Sequence, residues 1–292
     1  MRSAPPAGRT GRASAAVSGS GRKGSRHGMG ILSGLKNLPV FARRPQVFLT
    51  PRQYVLVLSH MRSYSTVLSH VLGSHDEISG YAEMHQAYGG PIDFLRMRAR
   101  VARALDGRLD GRFVLDKVLH DRYRVSTAVL DRDDVRAIFL VRQPPETLAS
   151  IIAMGRRIDA MKRYADVDTA AEYYVRRVHS LAAMARSMSS TALFVPAEAV
   201  VGDSQAALDS IAAYLGLSGG LQPSYQTFKH TGEEVWGDSS ERIKSGRIDS
   251  RADRRPDVKL PEAALEAPWA AYEDWRAAQA GHRGVTRDPR PA

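Results

Sequence analysis

The stretch YVLVLSHMRSYSTVLSHVLG at residues 54–73 decides the fold class. Its first part, Tyr54–Ser59, is a short continuous apolar run, which is typical of a strand buried on both faces of a parallel sheet. Residues Thr66–Leu72 predict a helix that ends at Gly73. The loop between the two is rich in hydroxyl groups and carries one cation, Arg62. Because backbone N–H groups at a helix N-terminus attract negative charge, this strand–loop–helix unit predicts an anion site.

The same alternation continues along the chain. Apolar runs predict three more buried strands, at Phe113–Asp116, Arg136–Val141 and Thr191–Val195. Helices are predicted near Pro145–Gly155, from Asp168 to about Met188, and from Asp203 to Tyr214. Strands that alternate with helices predict an α/β fold with three layers, in which a central parallel sheet is flanked by helices. Ligands of such folds bind at the carboxyl ends of the strands.

Composition and charge divide the chain of 292 residues into three parts. Nine basic residues and no acidic ones lie in residues 1–46, so residues 47–292 carry only +2 of the net charge of +11. We therefore expect a basic, disordered extension and linker over 1–46, an α/β domain over 47–275 and a flexible tail over 276–292. The absence of cysteine excludes disulfides, thiolate metal sites and cysteine nucleophiles.

The basic extension leaves three interpretations open. Residues 1–28 are an unstructured extension, a transit peptide, or the product of a start codon placed ahead of Met29. The near-neutral remainder predicts no nucleic-acid partner for the folded domain. Since no run of 18 apolar residues occurs, we expect no transmembrane segment and a cytoplasmic protein.

Residues 62–66, Arg-Ser-Tyr-Ser-Thr, match four of the five positions of the pattern Arg/Lys-Ser-Gly-Ser/Thr-Thr. This pattern is the 5′-phosphosulfate loop of the sulfotransferases that use 3′-phosphoadenosine 5′-phosphosulfate (PAPS), which the chain resembles. The resemblance implies a P-loop-like sulfotransferase architecture and a donor site at Arg62, Ser63, Tyr64, Ser65 and Thr66. Tyr64 replaces the glycine, so we expect it to adopt a less strained turn or to stack on a neighbour.

Two later segments resemble further motifs of this family. In Val141–Ser150, Arg142 and the serine eight residues later keep the spacing of the 3′-phosphate motif, with Gln143 in place of its usual Asp. An arginine at the end of a strand and a serine two turns into the next helix can converge on one phosphate. The segment from Gly237 onward is similar to the basic segment that closes over the nucleotide, which implies 3′-phosphate contacts for Lys244 and Arg247. The resemblance covers roughly residues 50–250.

Sulfuryl transfer requires a base for the acceptor hydroxyl and positive charge on the leaving oxygen, and it requires no metal. Glu83 lies 21 residues after Arg62, a separation similar to that in the tyrosylprotein branch of the family, where this glutamate takes the proton. A bound sulfonate would raise its pKa. His120 is the second candidate base, followed by His85 and His60. Lys117, directly after the predicted strand, is expected to hold the leaving oxygen.

Other functions remain open at this stage. A P-loop nucleotide kinase is the alternative enzyme, with Asp116 as its magnesium ligand, although the Gly-Lys pair of that motif is missing. A binding protein that uses the basic extension is a third interpretation. The acceptor is a hydroxyl-bearing small molecule, sugar or lipid, a phenol or a peptide, and a homodimer is one alternative for the oligomeric state. Residues 84–110 and 225–245 are expected to shape the acceptor pocket through Tyr88, Phe94, Tyr225, Phe228 and Trp236.

Overall fold

The computed structural model describes residues 45–233, 241–249, 256 and 258–285. Within them, one sheet of six strands has the order β2-β3-β1-β4-β5-β6, and every neighbouring pair is parallel. The strands are β1 (Gln53–Ser59), β2 (Ile78–Ser79), β3 (Phe113–Val118), β4 (Val135–Val141), β5 (Leu193–Pro196) and β6 (Arg283–Gly284). The predicted α/β class with a central parallel sheet is confirmed. The predicted extension lies outside the described residues, apart from its last two positions.

Helices connect the strands. The α-helices are α1 (Gln46–Leu49), α2 (Ser65–Gly73), α3 (Pro91–Ala104), α4 (Thr127–Leu130), α5 (Pro144–Arg157), α6 (Val167–Ser187), α7 (Ala197–Gly202), α8 (Ser204–Leu215) and α9 (Ala263–Ala277). Two short 3₁₀ helices span Asp159–Ala165 and Glu241–Ser245. No helix in the described part of the chain is both long and apolar enough to cross a bilayer.

Both faces of the sheet are covered. Successive residues of a strand point to opposite faces, so Leu56 and Leu58 pack in one apolar cluster and Val55 and Val57 in the other. Side chains of α3, α5, α6 and α9 belong to the first cluster, and side chains of α2, α7 and α8 to the second. These four residues of β1 are fully buried, which explains the continuous apolar run in the sequence.

The predicted strands are all present, with ends that differ from the expected ones by one or two residues. The most consequential difference is in β3, which runs to Val118 and so includes Lys117 within the strand. Helix α6 begins one residue earlier than expected, at Val167, because Asp166 is its N-cap: Asp166 Oδ1 accepts a hydrogen bond of 2.9 Å from the N–H of Thr169. Helices α3 and α9 were not expected from the sequence.

The C-terminal boundary of the domain differs from the expected one. Helix α9 runs to Ala277, and its Trp275 is fully buried in the core. Beyond it, β6 pairs with β5, and the N–H of Ala192 donates a hydrogen bond of 3.1 Å to His282 Nδ1. Residues 276–285 therefore belong to the domain rather than to a tail, because they complete one edge of the sheet.

Candidate active site

The loop after β1 enters α2 through two residues in the left-handed region. Arg62 has φ 64° and Tyr64 has φ 61°, although neither is glycine. The expectation of a less strained turn at Tyr64 is therefore wrong, and the alternative, stacking, is what the structure contains: the guanidinium of Arg142 lies 4.2 Å from the centroid of the Tyr64 ring. A left-handed non-glycine residue costs roughly 1–2 kcal/mol, and a cation–π contact returns about 0.5–2 kcal/mol of it.

The two motifs predicted from the sequence meet directly. Arg62 Nε donates a hydrogen bond of 2.9 Å to Ser150 Oγ, and Arg142 Nη1 donates one of 3.3 Å to the carbonyl of Arg62. These three residues line one cavity of about 370 Å³, together with the first turn of α2. The structure thus brings the loop after β1 and the loop after β4 into a single site, at the carboxyl ends of adjacent parallel strands.

The side chain of His60 links these two loops through hydrogen bonds to their backbones. Its Nε2 accepts a hydrogen bond of 3.0 Å from the N–H of Arg142, which assigns the proton to Nδ1, and Nδ1 donates one of 2.8 Å to the carbonyl of Met61. Burial lowers the pKa of His60 to about 3, so the ring is neutral. Because His60 is fully buried and lies outside the cavity lining, it is a structural link rather than a base.

Helix α6 fixes the ends of three strands with polar side chains on its buried face. Tyr173, Tyr174 and Arg177 are each almost fully buried and reach backbone groups at the carboxyl edge of the sheet. Their partners are the N–H of Met61 and the carbonyls of Leu119, Arg142, Ser59 and Val118, at 2.7–3.1 Å. The sequence analysis missed this role. The available signal was polar side chains on the face of a long amphipathic helix that packs inward.

Glu83 lies in the cavity wall, where it is 5% exposed. Its Oε1 is 3.2 Å from Nδ1 of His85, which also lines the cavity. Burial by itself would raise the pKa of Glu83, but His85, Lys117 and His120 outweigh it, and the pKa lies below its usual value. A bound anion was expected to raise the pKa of Glu83, whereas the neighbouring groups of the protein lower it. Glu83 is therefore ionised at neutral pH.

Lys117 and His120 lie on the same side of the site. Lys117 is 1% exposed inside β3, and its Nζ donates a hydrogen bond of 2.9 Å to Thr66 Oγ1 at the start of α2. It therefore lies beneath the loop instead of following the strand into the crevice. His120 lines the cavity, and burial lowers its pKa to about 4, so its ring is neutral at pH 7.

Asp116 points to the opposite face of β3 from Lys117. Its Oδ2 accepts a hydrogen bond of 2.5 Å from Tyr88 Oη, and its Oδ1 accepts one of 2.8 Å from the N–H of Met84. Met84 is also held by Arg100, which donates to its carbonyl. Burial raises the pKa of Asp116 to about 7. This carboxyl group thus positions the segment that carries Glu83, and it faces away from the loop where a magnesium ligand of a kinase would be needed.

The second motif is anchored through its backbone. The N–H of Gln143, the residue that replaces Asp, donates a hydrogen bond of 2.8 Å to Glu198 Oε1. Burial raises the pKa of Glu198 to about 7, although the hydrogen bond from Gln143 opposes the increase. Glu198 therefore serves the loop that carries Arg142, and the missing Asp side chain is not needed to hold this turn.

The third basic segment contributes a different pair of cations from the expected one. Arg247 lines the cavity, as expected for a phosphate contact, and so does Arg242. Lys244 lies outside the lining, because it is half exposed and its Nζ pairs with Glu241 Oε1 at 2.8 Å. Residues 237–240, also part of this segment, lie outside the described residues. Arg157, at the end of α5, is a further lining cation that the sequence analysis missed.

The residues expected to shape the acceptor pocket behave differently from one another. Tyr88 and Phe94 are buried in the core, and Phe228 stacks on Tyr81 with ring centroids 4.1 Å apart. Tyr225 does line the cavity. Trp236 lies outside the described residues. The end of α5 and the 3₁₀ helix that follows it, which were not expected to take part, also line the cavity.

No protein-family model matches the chain, and no curated protein sequence matches it significantly.

Proposed function

We propose that the protein is a PAPS-dependent sulfotransferase of the P-loop-like architecture, which moves a sulfuryl group to the hydroxyl of an acceptor. The observation that carries this proposal is the hydrogen bond from Arg62 to Ser150 beside Arg142, because it unites two anion-binding motifs in one cavity. A nucleotide with phosphates at its 5′ and 3′ positions needs two such anion sites at a short separation.

The donor would be held by the chain as follows. Arg62 and the N-terminal turn of α2, with Ser65 and Thr66, would bind the 5′-phosphosulfate. Ser63 would act through its backbone, since its hydroxyl donates a hydrogen bond of 2.8 Å to the carbonyl of His60.

The 3′-phosphate would be bound on the other side of Arg62. Arg142, Ser150 and Arg247, which all line the cavity, would bind it. Arginine suits this task because its guanidinium can donate two parallel hydrogen bonds to a phosphate.

The transfer is an in-line displacement. The acceptor oxygen forms a bond to sulfur while the bond from sulfur to the bridging phosphate oxygen breaks, and adenosine 3′,5′-bisphosphate leaves. Glu83, ionised and in the cavity wall, would take the proton of the acceptor hydroxyl, with His120 as the alternative base. Lys117 lies outside the cavity lining and would act through Thr66, whose hydroxyl it orients by a hydrogen bond at the start of α2, where negative charge develops on the leaving oxygen.

Two features of the chain count against the kinase interpretation. Its phosphate loop would need a lysine where Ser65 stands, and its magnesium ligand would be Asp116, whose two carboxylate oxygens are engaged by Tyr88 and Met84. No observation in the described residues favours it over sulfuryl transfer.

Calorimetric titration tests the proposal. We expect adenosine 3′,5′-bisphosphate to bind without metal and more tightly than ATP with Mg²⁺. Arg62→Ala should weaken this binding by roughly 10- to 100-fold, since a hydrogen bond to a charged group contributes about 1.5–3 kcal/mol. Arg96→Ala is the matched control, because Arg96 lies on α3 and pairs with Asp93.

Turnover with PAPS as sulfuryl donor completes the test. Wild-type affinity in Arg62→Ala, or tighter binding of ATP with Mg²⁺ than of the bisphosphate, would contradict the proposal.

A further inference from the structure

Helix α5 and its end contribute both polar and apolar side chains to the cavity lining. Ser150, Met154 and Ile158 line the cavity at intervals of four residues, so they follow one another along a single side of the helix and its end. Ser150 contacts Arg62. One and two turns further on, the same side presents a thioether and a branched alkyl group.

Further apolar side chains line the same cavity. Leu119, which follows β3, and Met161, in the 3₁₀ helix after α5, line it together with Ala160. Next to Leu119 in the chain, the ring of His120 lies 6.0 Å from that of Tyr173. We call the surface formed by five of these lining residues the apolar slot: Leu119, Met154, Ile158, Ala160 and Met161.

The apolar slot adjoins the proposed base. Leu119 precedes His120 in the chain, and both residues line the same cavity as Glu83. Among the described lining residues of the whole cavity, the only acids are Glu83 and Asp249. A hydroxyl group at Glu83 would therefore have the rest of its molecule against thioether and alkyl groups.

We propose that the apolar slot is the acceptor site and that it takes an uncharged, largely apolar alcohol or phenol. This inference rests on the proposed function. A sugar would leave several hydroxyl groups without partners against Met154, Ile158 and Met161, and each buried hydroxyl without a hydrogen bond costs about 1–3 kcal/mol. An apolar body gains from the same contacts, and methionine side chains adapt to its shape.

The inference is tested by measuring how tightly three probes bind to the protein loaded with adenosine 3′,5′-bisphosphate. These are 4-butylphenol, its anionic counterpart 4-(4-hydroxyphenyl)butanoate, and methyl glucoside. We expect 4-butylphenol to bind at least tenfold more tightly than the other two and to accept a sulfuryl group from PAPS. Met161→Gln and Met154→Gln should each weaken its binding on the order of tenfold, because the buried apolar contact is lost at nearly constant size.

Met184→Gln is the matched control, because Met184 is a partly buried methionine of α6 outside the cavity lining. It should leave 4-butylphenol binding within twofold of the wild type. Preference for methyl glucoside, wild-type affinity for 4-butylphenol in both slot variants, or no binding of any probe to the loaded protein would overturn the inference while leaving the proposed function intact. Tighter binding of the anionic phenol that disappears in Arg157→Ala would also overturn it. Failure of the bisphosphate itself to bind would instead contradict the proposed function.

Discussion

Replacing Asp116 by Asn should make the stability of the protein less dependent on pH. Asp116 is fully buried, and burial raises its pKa from 3.8 to about 7. Between these two pH values the folded protein keeps a proton that the unfolded chain has lost, so the free energy of unfolding falls as the pH rises. Above pH 7 both states have lost the proton, and this contribution becomes constant.

The size of the effect follows from the shift. One pKa unit corresponds to about 1.4 kcal/mol, so Asp116 should remove about 3 kcal/mol of stability between pH 5 and pH 7. Asn keeps an acceptor for the N–H of Met84 and offers a donor to Tyr88, but it carries no charge. The stability of the variant relative to the wild type should therefore improve by about 3 kcal/mol from pH 5 to pH 8.

Urea unfolding of both proteins at pH 5 and pH 8 measures this difference. Comparing the variant with the wild type cancels the contributions of His60, His120 and Glu198, which titrate in both proteins. Asp209→Asn, on the exposed side of α8, is the matched control and should show no such change. A relative stability of Asp116→Asn that is the same at both pH values within 1 kcal/mol would refute the assignment of a raised pKa to this buried carboxyl group.

Three further changes test individual contacts of the site. Tyr64→Gly removes both the strain of a left-handed backbone at Tyr64 and its cation–π contact with Arg142, which are of similar size. Thermal unfolding should therefore show a change in stability within about 1 kcal/mol, and a loss above about 2 kcal/mol would contradict this balance. Lys117→Met should lower kcat by about 100-fold or more in steady-state assays with PAPS, while unchanged kcat would remove Lys117 from the reacting centre. Glu83→Gln should lower kcat/KM by about 10²–10⁴-fold and His120→Asn by less than about tenfold, and the reverse ranking would make His120 the base.

Much of the fold could be predicted because its signals are local. The run Tyr54–Ser59 is apolar at every inner position since both faces of β1 are covered, and together with the alternation of strands and helices it indicates a parallel sheet. Helix α3 was missed despite Pro91 at its start, because the segment around it was interpreted only as a pocket wall. The short strand β6 was missed for a different reason: a two-residue edge strand has no periodicity of its own and depends on β5.

The candidate site, like the fold, could be predicted only in part. The resemblance to family motifs singled out Arg62, Arg142 and Ser150, and strand–loop–helix units project such residues at the carboxyl edge of a sheet. Spacing could not separate Lys244 from Arg242, because the direction of a side chain in a short 3₁₀ helix depends on what packs against it. Lys244 instead pairs with Glu241 at 2.8 Å.

The amino-acid sequence alone predicts the class of the fold, the positions of its main strands along the chain and the loops that carry the proposed anion-binding residues, because these depend on short-range patterns of burial and turns. The folded structure is needed to show that the two loops join through Arg62 and Ser150, that Asp116 positions the segment of Glu83, and that Leu119 and Met161 line the same cavity. The physical reason is that each of these contacts joins residues distant in the chain. Their meeting is set by the register of parallel strands and by the packing of α5 and α6 against them.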